Sequence, residues 1–370
     1  MKVSDIRVGV GDATASATAA LLLSVLQDSM GRIATILFAH KLGTTLEPEC
    51  KMYRLAADVF NDSAMILDCL SPAFPKTLRV VLLSFSSILR ALCGVAAGSS
   101  KASLSAHFAK WGNLGELNAK DSSQETVISL LGMLTGSLVV SQVSSPLATW
   151  TCLILLLSIH LAMNHAAVRS VSLHTLNRQR ANLVFSAYLA DGTVMSPKKV
   201  SNQERIFERD GVLRWKGQGP IGSARVGVSL QDLLKAWAGA QSVTGSFRDP
   251  DAILSRIVEI FSDERYLLWY QHLNREVCIA LKEGATAQDQ MKAWAHALWL
   301  AHRLESASLA TGATPDKVLG VIQQVRTDLS TRWVACMQDI KSAKWDLNNA
   351  NLETTSGLRL HVGDSGERDA

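Results

Sequence analysis

Between Thr126 and Val168 the chain runs for 43 residues without one Asp, Glu, Lys or Arg. A hydrocarbon core about 30 Å thick is crossed by about 20 residues at helical rise, so this stretch is long enough to cross twice. Ser141, Gln142, Val143, Ser144, Ser145 and Pro146 break it with polar groups and a proline that cannot sit inside a regular helix. The pattern predicts a hairpin with arms over 127–140 and 147–163. A buried helix pair in a large soluble core is the alternative, but soluble helices ordinarily keep a charged face.

The rest of the chain sorts around this segment. Mean hydropathy is positive, +0.14, although 370 residues include 37 Lys and Arg and 33 Asp and Glu. The apolar runs crowd before Val168, and mixed charge with Trp-bearing amphipathic patterns follows from Arg169. The expected fold is mainly α: a polytopic transmembrane helical bundle over 1–168, then a small α+β soluble domain over 169–350, with a Gly- and charge-rich tail over 351–370 read as disordered. The net charge of +4 is spread rather than clustered, which argues against a nucleic-acid partner. Cys50, Cys69, Cys93, Cys152, Cys278 and Cys336 form no CxxC pair and read as buried, reduced and structural.

Upstream, residues 80–98 form a near-spanning segment broken by Arg90 and carrying Gly94-x-x-x-Gly98; the next span carries Gly132-x-x-x-Gly136. Small residues four apart let helices approach closely in lipid, which predicts packing at both motifs. Residues 13–40 are apolar except for Asp28 and Arg32, spaced to pair on one helical face. In residues 55–70, Asp58, Asn61, Asp62 and Asp68 read as a stripe opposite Leu55, Val59, Ile66 and Leu70. That segment is either an interfacial amphipathic helix or a span facing a polar interior, and the second reading is preferred because carboxylates in spans face the bundle.

Lys41, Lys51 and Arg54, then Lys101, Lys110 and Lys120, then Arg169, Arg178 and Arg180 put positive charge at both ends of the hairpin, whose turn carries none. The bias orients both ends, and the following domain, toward the cytosol or its equivalent, with Lys76 and Arg79 opposed. Residues 1–12 have the marks of neither a secretory signal nor a transit peptide. The first apolar segment starts from Ala13, so it either serves as its own insertion signal or follows a longer natural N-terminus.

In the C-terminal half, residues 178–190 predict a helix stopped at Asp191-Gly192. Residues 266–270 and 277–281 predict a β-hairpin through His272, Leu273, Asn274 and Arg275. Thr286 is expected to cap a helix through Leu304, with Asp289 in its first turn and Met291, Trp294, Leu298 and His302 on one stripe. Pro315 opens a last helix to about Ala343.

Several stretches carry a family resemblance: VGVGDAT from Val8, DSMGRIATILF from Asp28, CKMYRLAADVFND from Cys50, NLGELNAKDSSQET from Asn113, the run from Leu176 to Phe207, and VCIALKEGATAQDQMKAWAHA from Val277. They are similar to the root UVB sensitive family, and residues 118–126 (NAKDSSQET) are the most specific element. Members typically carry more sequence before the VGVGD stretch, so a first helix is expected to be missing here. The resemblance implies membrane association in a plastid or endomembrane setting. From plant members it implies roles in UV-B response, seedling growth, auxin distribution and vitamin B6-linked physiology. It also implies partnership with a paralogue or with a second copy, and it supplies no catalytic residues.

The residues themselves offer no catalytic triad, HExxH or phosphate loop, and Gly9-x-Gly11 lacks the third glycine of a dinucleotide site. His160 and His165 are five apart, the wrong spacing for one metal-binding face, and read as packing residues. No cofactor, metal or enzymatic activity is expected. The candidate polar membrane site consists of Asp58, Asp62, Arg90, Lys120, Asp121, Gln124 and Glu125. The last four are expected to point inward where a helix starts near Ser122 or Ser123, as a latch or a small-molecule site. The preferred function is a non-enzymatic membrane protein acting through assembly with a related partner. The rival is a transporter or binding bundle, suggested by a basic loop over 43–54 followed by Arg90-x-x-x-Gly94-x-x-x-Gly98, an arrangement resembling half of a major facilitator.

Overall fold

The computed structural model describes residues 17–236, 250–310, 313–353 and 357–361. The chain divides into two units, Met1–Val171 and Ser172–Ala370. The described part of the first consists of long helices: α1 (Ala17–Leu46), α2 (Cys50–Leu70), α3 (Lys76–Phe108), α4 (Leu114–Gln142) and α5 (Pro146–Ser170). Four of them, α1 from Leu21 onward, α3, α4 and α5, are long and apolar enough to cross a membrane.

Local chemistry sets the helix ends. The Ser145 hydroxyl accepts the Ala148 N–H (3.2 Å), and Pro146 occupies the first helical position, where its missing N–H costs nothing. The expected break therefore holds, but α4 reaches back to Leu114, well before the predicted arm. Between α2 and α3 the Arg79 guanidinium donates to the carbonyls of Ser71 (3.2 Å), Pro72 (3.0 Å) and Phe74 (3.2 Å), at the turn where the chain leaves α2. The cation that opposed the orientation argument thus has a structural task. The basic loop over 43–54 does not form: α1 runs to Leu46 and α2 starts at Cys50, so Lys51 and Arg54 are helical.

Helix α2 packs along α3 and meets α5, and α1 packs on α3. The close approach is at Gly31, where an added Cβ would stand 3.3 Å from Ser87 Oγ and 3.6 Å from Ala91 Cβ. Two neighbouring serines of α3 tie the bundle: Ser87 Oγ donates to the Gln27 carbonyl (3.0 Å) and Ser86 Oγ to that of Ala64 (3.2 Å). The expected glycine packing is not found within this chain, since a Cβ at Gly94, Gly98, Gly132 or Gly136 meets nothing within 4 Å. Asp28 and Arg32 are both exposed and do not pair with each other.

The second unit is α+β. It runs β1 (Thr175–Asn177), α6 (Arg178–Asp191), α7 (Pro197–Gln203), β2 (Val212–Arg214), β3 (Pro220–Val226), α8 (Pro250–Ile260), β4 (Tyr266–Gln271), β5 (Glu276–Leu281), α9 (Ala287–Ser306), α10 (Pro315–Ser342) and β6 (Asp346–Asn351). Helix α6 stops at Gly192 with φ 74°, the left-handed turn that glycine accepts without strain. Strands β4 and β5 form the expected antiparallel hairpin, with Tyr266 opposite Leu281 and Tyr270 opposite Val277. They join a sheet of order β2-β3-β5-β4 in which β3 and β5 are parallel, while β1 and β6 form a separate parallel pair. Thr286 and Asp289 make a reciprocal capping box at the start of α9, whose Met291, Trp294 and Leu298 are fully buried in the core.

The tail departs from expectation. Leu352 is fully buried, and Leu360 bonds across β5, its N–H to the Leu281 carbonyl (2.8 Å) and its carbonyl to the Glu283 N–H (2.9 Å). Residues 354–356 and 362–370 lie outside the described residues. The cysteines are free; Cys50, Cys278 and Cys336 are buried, but Cys69 is exposed, contrary to the reading of all six as interior.

Candidate functional site

Helix α2 carries Lys51, Arg54, Asp58 and Asp62 at steps of three, four and four, which places them along one face. That face turns inward: Asp58 is 8% exposed and Asp62 3%, while Val59 and Met65 lie outside. Leu55 was expected on the opposite side from the acids. It is buried on their side, because 55, 58 and 62 share a face at i, i+3 and i+7. Tyr53, Leu55, Ala57 and Ala64 are buried along with the acids, and α2 is not one of the four helices long and apolar enough to cross a membrane, contrary to the preferred reading of this segment as a span.

Helix α5 answers with His160 and Asn164, one turn apart. His160 Nδ1 lies 3.0 Å from Asp62 Oδ2, and Arg54 Nη1 donates to Asp58 Oδ1 at 3.2 Å. Each carboxylate keeps its second oxygen, Asp58 Oδ2 and Asp62 Oδ1, buried without a hydrogen-bond partner. Alongside them, Lys51, Arg54, Leu104, Asn164, Ala167 and Val168 surround a cavity of about 180 Å³. A buried carboxylate left half-satisfied is costly, so it persists where it takes a proton or meets a cationic group. The line can therefore hold and release a proton, or hold a small solute with a hydrogen-bond donor or positive end. Among the described residues no three His, Cys, Asp or Glu side chains come together in a way that would hold a metal ion.

The seven residues singled out in the sequence do not form one site. Asp58 and Asp62 come together. Arg90 pairs instead with Asp68, half-exposed further along α2 and α3. Lys120, Asp121, Gln124 and Glu125 lie in α4, whose residues are exposed or half-buried throughout. The helix starts at Leu114, so the cluster sits two turns inside it, and the expected inward latch at a helix start near Ser122 or Ser123 is overturned. Its charges pair at the surface: Lys101 Nζ lies 2.8 Å from Asp121 and 2.7 Å from Glu125, and Lys120 lies 2.5 Å from Glu116. The residue missed was His160. Nothing near it in sequence marks it, since its partner Asp62 lies 98 positions away.

These features define a class: a bundle of long apolar helices with an acidic line in its interior, followed by an α+β unit. The chain belongs to the root UVB sensitive family. The family description "Vitamin B6 photo-protection and homoeostasis domain" matches residues 6–192, and "Root UVB sensitive protein, C-terminal" matches residues 193–356. The first match thus extends past the unit boundary through β1 and α6.

The chain is 36% identical over 243 residues to RUS family member 1 of Dictyostelium discoideum, covering 65% of this chain and 44% of that protein. It is 30% identical over 305 residues to protein root UVB sensitive 3 of Arabidopsis thaliana, covering 81% and 66%. It is 25% identical over 279 residues to protein root UVB sensitive 2, chloroplastic, of the same plant, covering 75% and 59%. The chain thus spans between under half and about two thirds of these relatives' lengths. No solved structure matches.

Proposed function

We propose that this chain is an integral membrane protein of the root UVB sensitive family that binds or passes a small protonatable or cationic solute along its interior acidic line, without covalent chemistry. Helices α1, α3, α4 and α5 cross the bilayer, with both ends of the α4–α5 hairpin on one side and Ser144 on the other. The observation that carries the reading is the pair of buried, unpartnered oxygens on Asp58 and Asp62. Ionisable residues among apolar spans mark solute paths or proton relays, because lipid offers them nothing. A scaffold with its polar groups locked in complete pairs would not leave such atoms.

A second reading, assembly with a related chain or a second copy, is supported by α4, which has no buried residue along its length. The two are compatible, since half-transporter bundles place their path between two halves. A contribution to UV-B response and vitamin B6 homoeostasis is supported by the family description and by the names of its members, and a plastid setting by one chloroplastic relative.

The deciding experiment is mass spectrometry of small molecules retained by detergent-purified protein, beside Asp58→Asn and Asp62→Asn variants. A solute retained by the unaltered chain and lost from a still-folded variant is the expected result. Equal retention by all three would remove the acidic line from the function. Cysteine accessibility at Ser144 and Ser170 checks the crossing, and labelling of both from one side would exclude it.

A further inference from the structure

The second unit contains a cavity of about 290 Å³, bounded by α6, α7, the segment leading into β2 and the β2–β3 turn. Its walls are held by side chains of α6. Gln179 exchanges two hydrogen bonds with the Arg205 backbone, Nε2 to the carbonyl (3.0 Å) and Oε1 from the N–H (2.5 Å). Asn182 donates to the Val212 carbonyl (2.6 Å) and accepts from Trp294 Nε1 (3.0 Å). Both side chains are thereby occupied in framing the space. Trp215, which also lines it, is fixed by parallel stacking on His302 at 3.9 Å.

The charge around this cavity is one-sided. Lys199, Arg205, Arg214 and Lys216 line it against one carboxylate, Glu208. Arg214 takes that carboxylate through two bonds (2.7 and 3.1 Å), leaving Arg205 at 4.0 Å from it. Lys216 pairs with Asp191 at 2.5 Å, and Lys199 has no ion-pair partner among the described residues. Leu183, Ala187, Met195 and Trp215 supply an apolar floor. A recess near the small end of ligand pockets, about 300 Å³ and upward, with an apolar floor and a surplus of cations at the rim suits a compact anion on an apolar body.

We infer that this cavity binds a small phosphomonoester, its dianionic head between Lys199 and Arg205 and its apolar body against Trp215 and Met195. The site stands apart from the acidic line and does not depend on that line's role.

The test uses the full chain in detergent and calorimetric titration with phenyl phosphate, inorganic phosphate and phenol. Saturable phenyl phosphate binding that weakens with added salt is expected, with weaker inorganic phosphate binding and none of phenol. Lys199→Met and Arg205→Met should each weaken phenyl phosphate binding roughly tenfold or more, the loss of one charge-assisted hydrogen bond, and Asp62→Asn should leave it unchanged. As a measurement on the unaltered chain, phenyl phosphate should slow acetylation of Lys199 but not of the exposed Lys317. No saturable binding, binding by both Met variants as tight as by the unaltered chain, or unprotected Lys199 would overturn the assignment.

Discussion

His160 of α5 and Asp62 of α2 meet at 3.0 Å in the first unit, with Asp62 almost fully enclosed and His160 partly open. The contact joins α5 to the acidic line of α2. Removing either member has opposite consequences. Asp62→Asn discards a buried charge with an unpartnered oxygen, so thermal stability in detergent should stay level or rise while solute retention is lost. His160→Ala strips the carboxylate of its neighbour and should lower stability by about 1–3 kcal/mol. Equal melting losses in both variants would make the pair a structural tie and nothing more.

The helix contact that matters within this chain is at Gly31. Gly31→Leu drives a branched side chain into Ser87 and Ala91 and should disrupt α1 against α3, seen as lower yield and melting temperature of the detergent-solubilised protein. Gly94→Leu and Gly136→Leu meet open space and should leave monomer melting unchanged. A drop on cross-linked oligomer alone in Gly136→Leu would place α4 in an assembly contact.

In the second unit, Arg180 and Glu204 form an enclosed ion pair at 2.7 Å, with side chains 2% and 4% exposed. Arg180 also donates through Nε to the Thr175 carbonyl (2.7 Å), so it ties β1, α6 and the end of α7. Arg180→Met leaves a buried carboxylate without its cation and should cost about 3–5 kcal/mol, while adding Glu204→Leu should recover much of the loss. Denaturant melts of the single and double variants measure the coupling. Simple additivity would show that the charges do not interact.

His296 is fully buried beneath the sheet, 3.0 Å from the Tyr266 hydroxyl, and burial pushes its imidazole down to about 3, helped by Lys292 and Arg326 nearby. The unfolded chain titrates near 6.5. The folded state thus holds the neutral ring, and its stability is fully present above pH 6.5 and declines as pH falls from there toward 3. The total is on the order of 5 kcal/mol by linkage. His296→Gln, which offers Tyr266 a partner but cannot titrate, should flatten the loss of stability between pH 6.5 and 4. An unchanged slope would assign the acid sensitivity to other groups.

The sequence by itself determined the elements whose causes are local. The uncharged run over 126–168 with Pro146 gave the break between α4 and α5, Gly192 the stop of α6, Thr286 with Asp289 the capped start of α9, and two short apolar runs the β4–β5 pair. Each depends on chemistry within a few residues, or on a period that a single helix or strand imposes. Strand β2 is only three residues long, and β3 opens on Pro220, contains Gly222 and is placed by its parallel pairing with β5, so neither carries a local strand signal; the buried Leu352 and the bridging Leu360 are ordered only by a core built elsewhere. Tertiary structure alone decided which charges became a site. Asp58 and Asp121 look alike as carboxylates in helices, yet one faces the bundle and the other pairs with Lys101 at the surface. The difference lies in which helices pack against α2 and leave α4 bare, and burial is a property of neighbours that a residue's own segment does not carry.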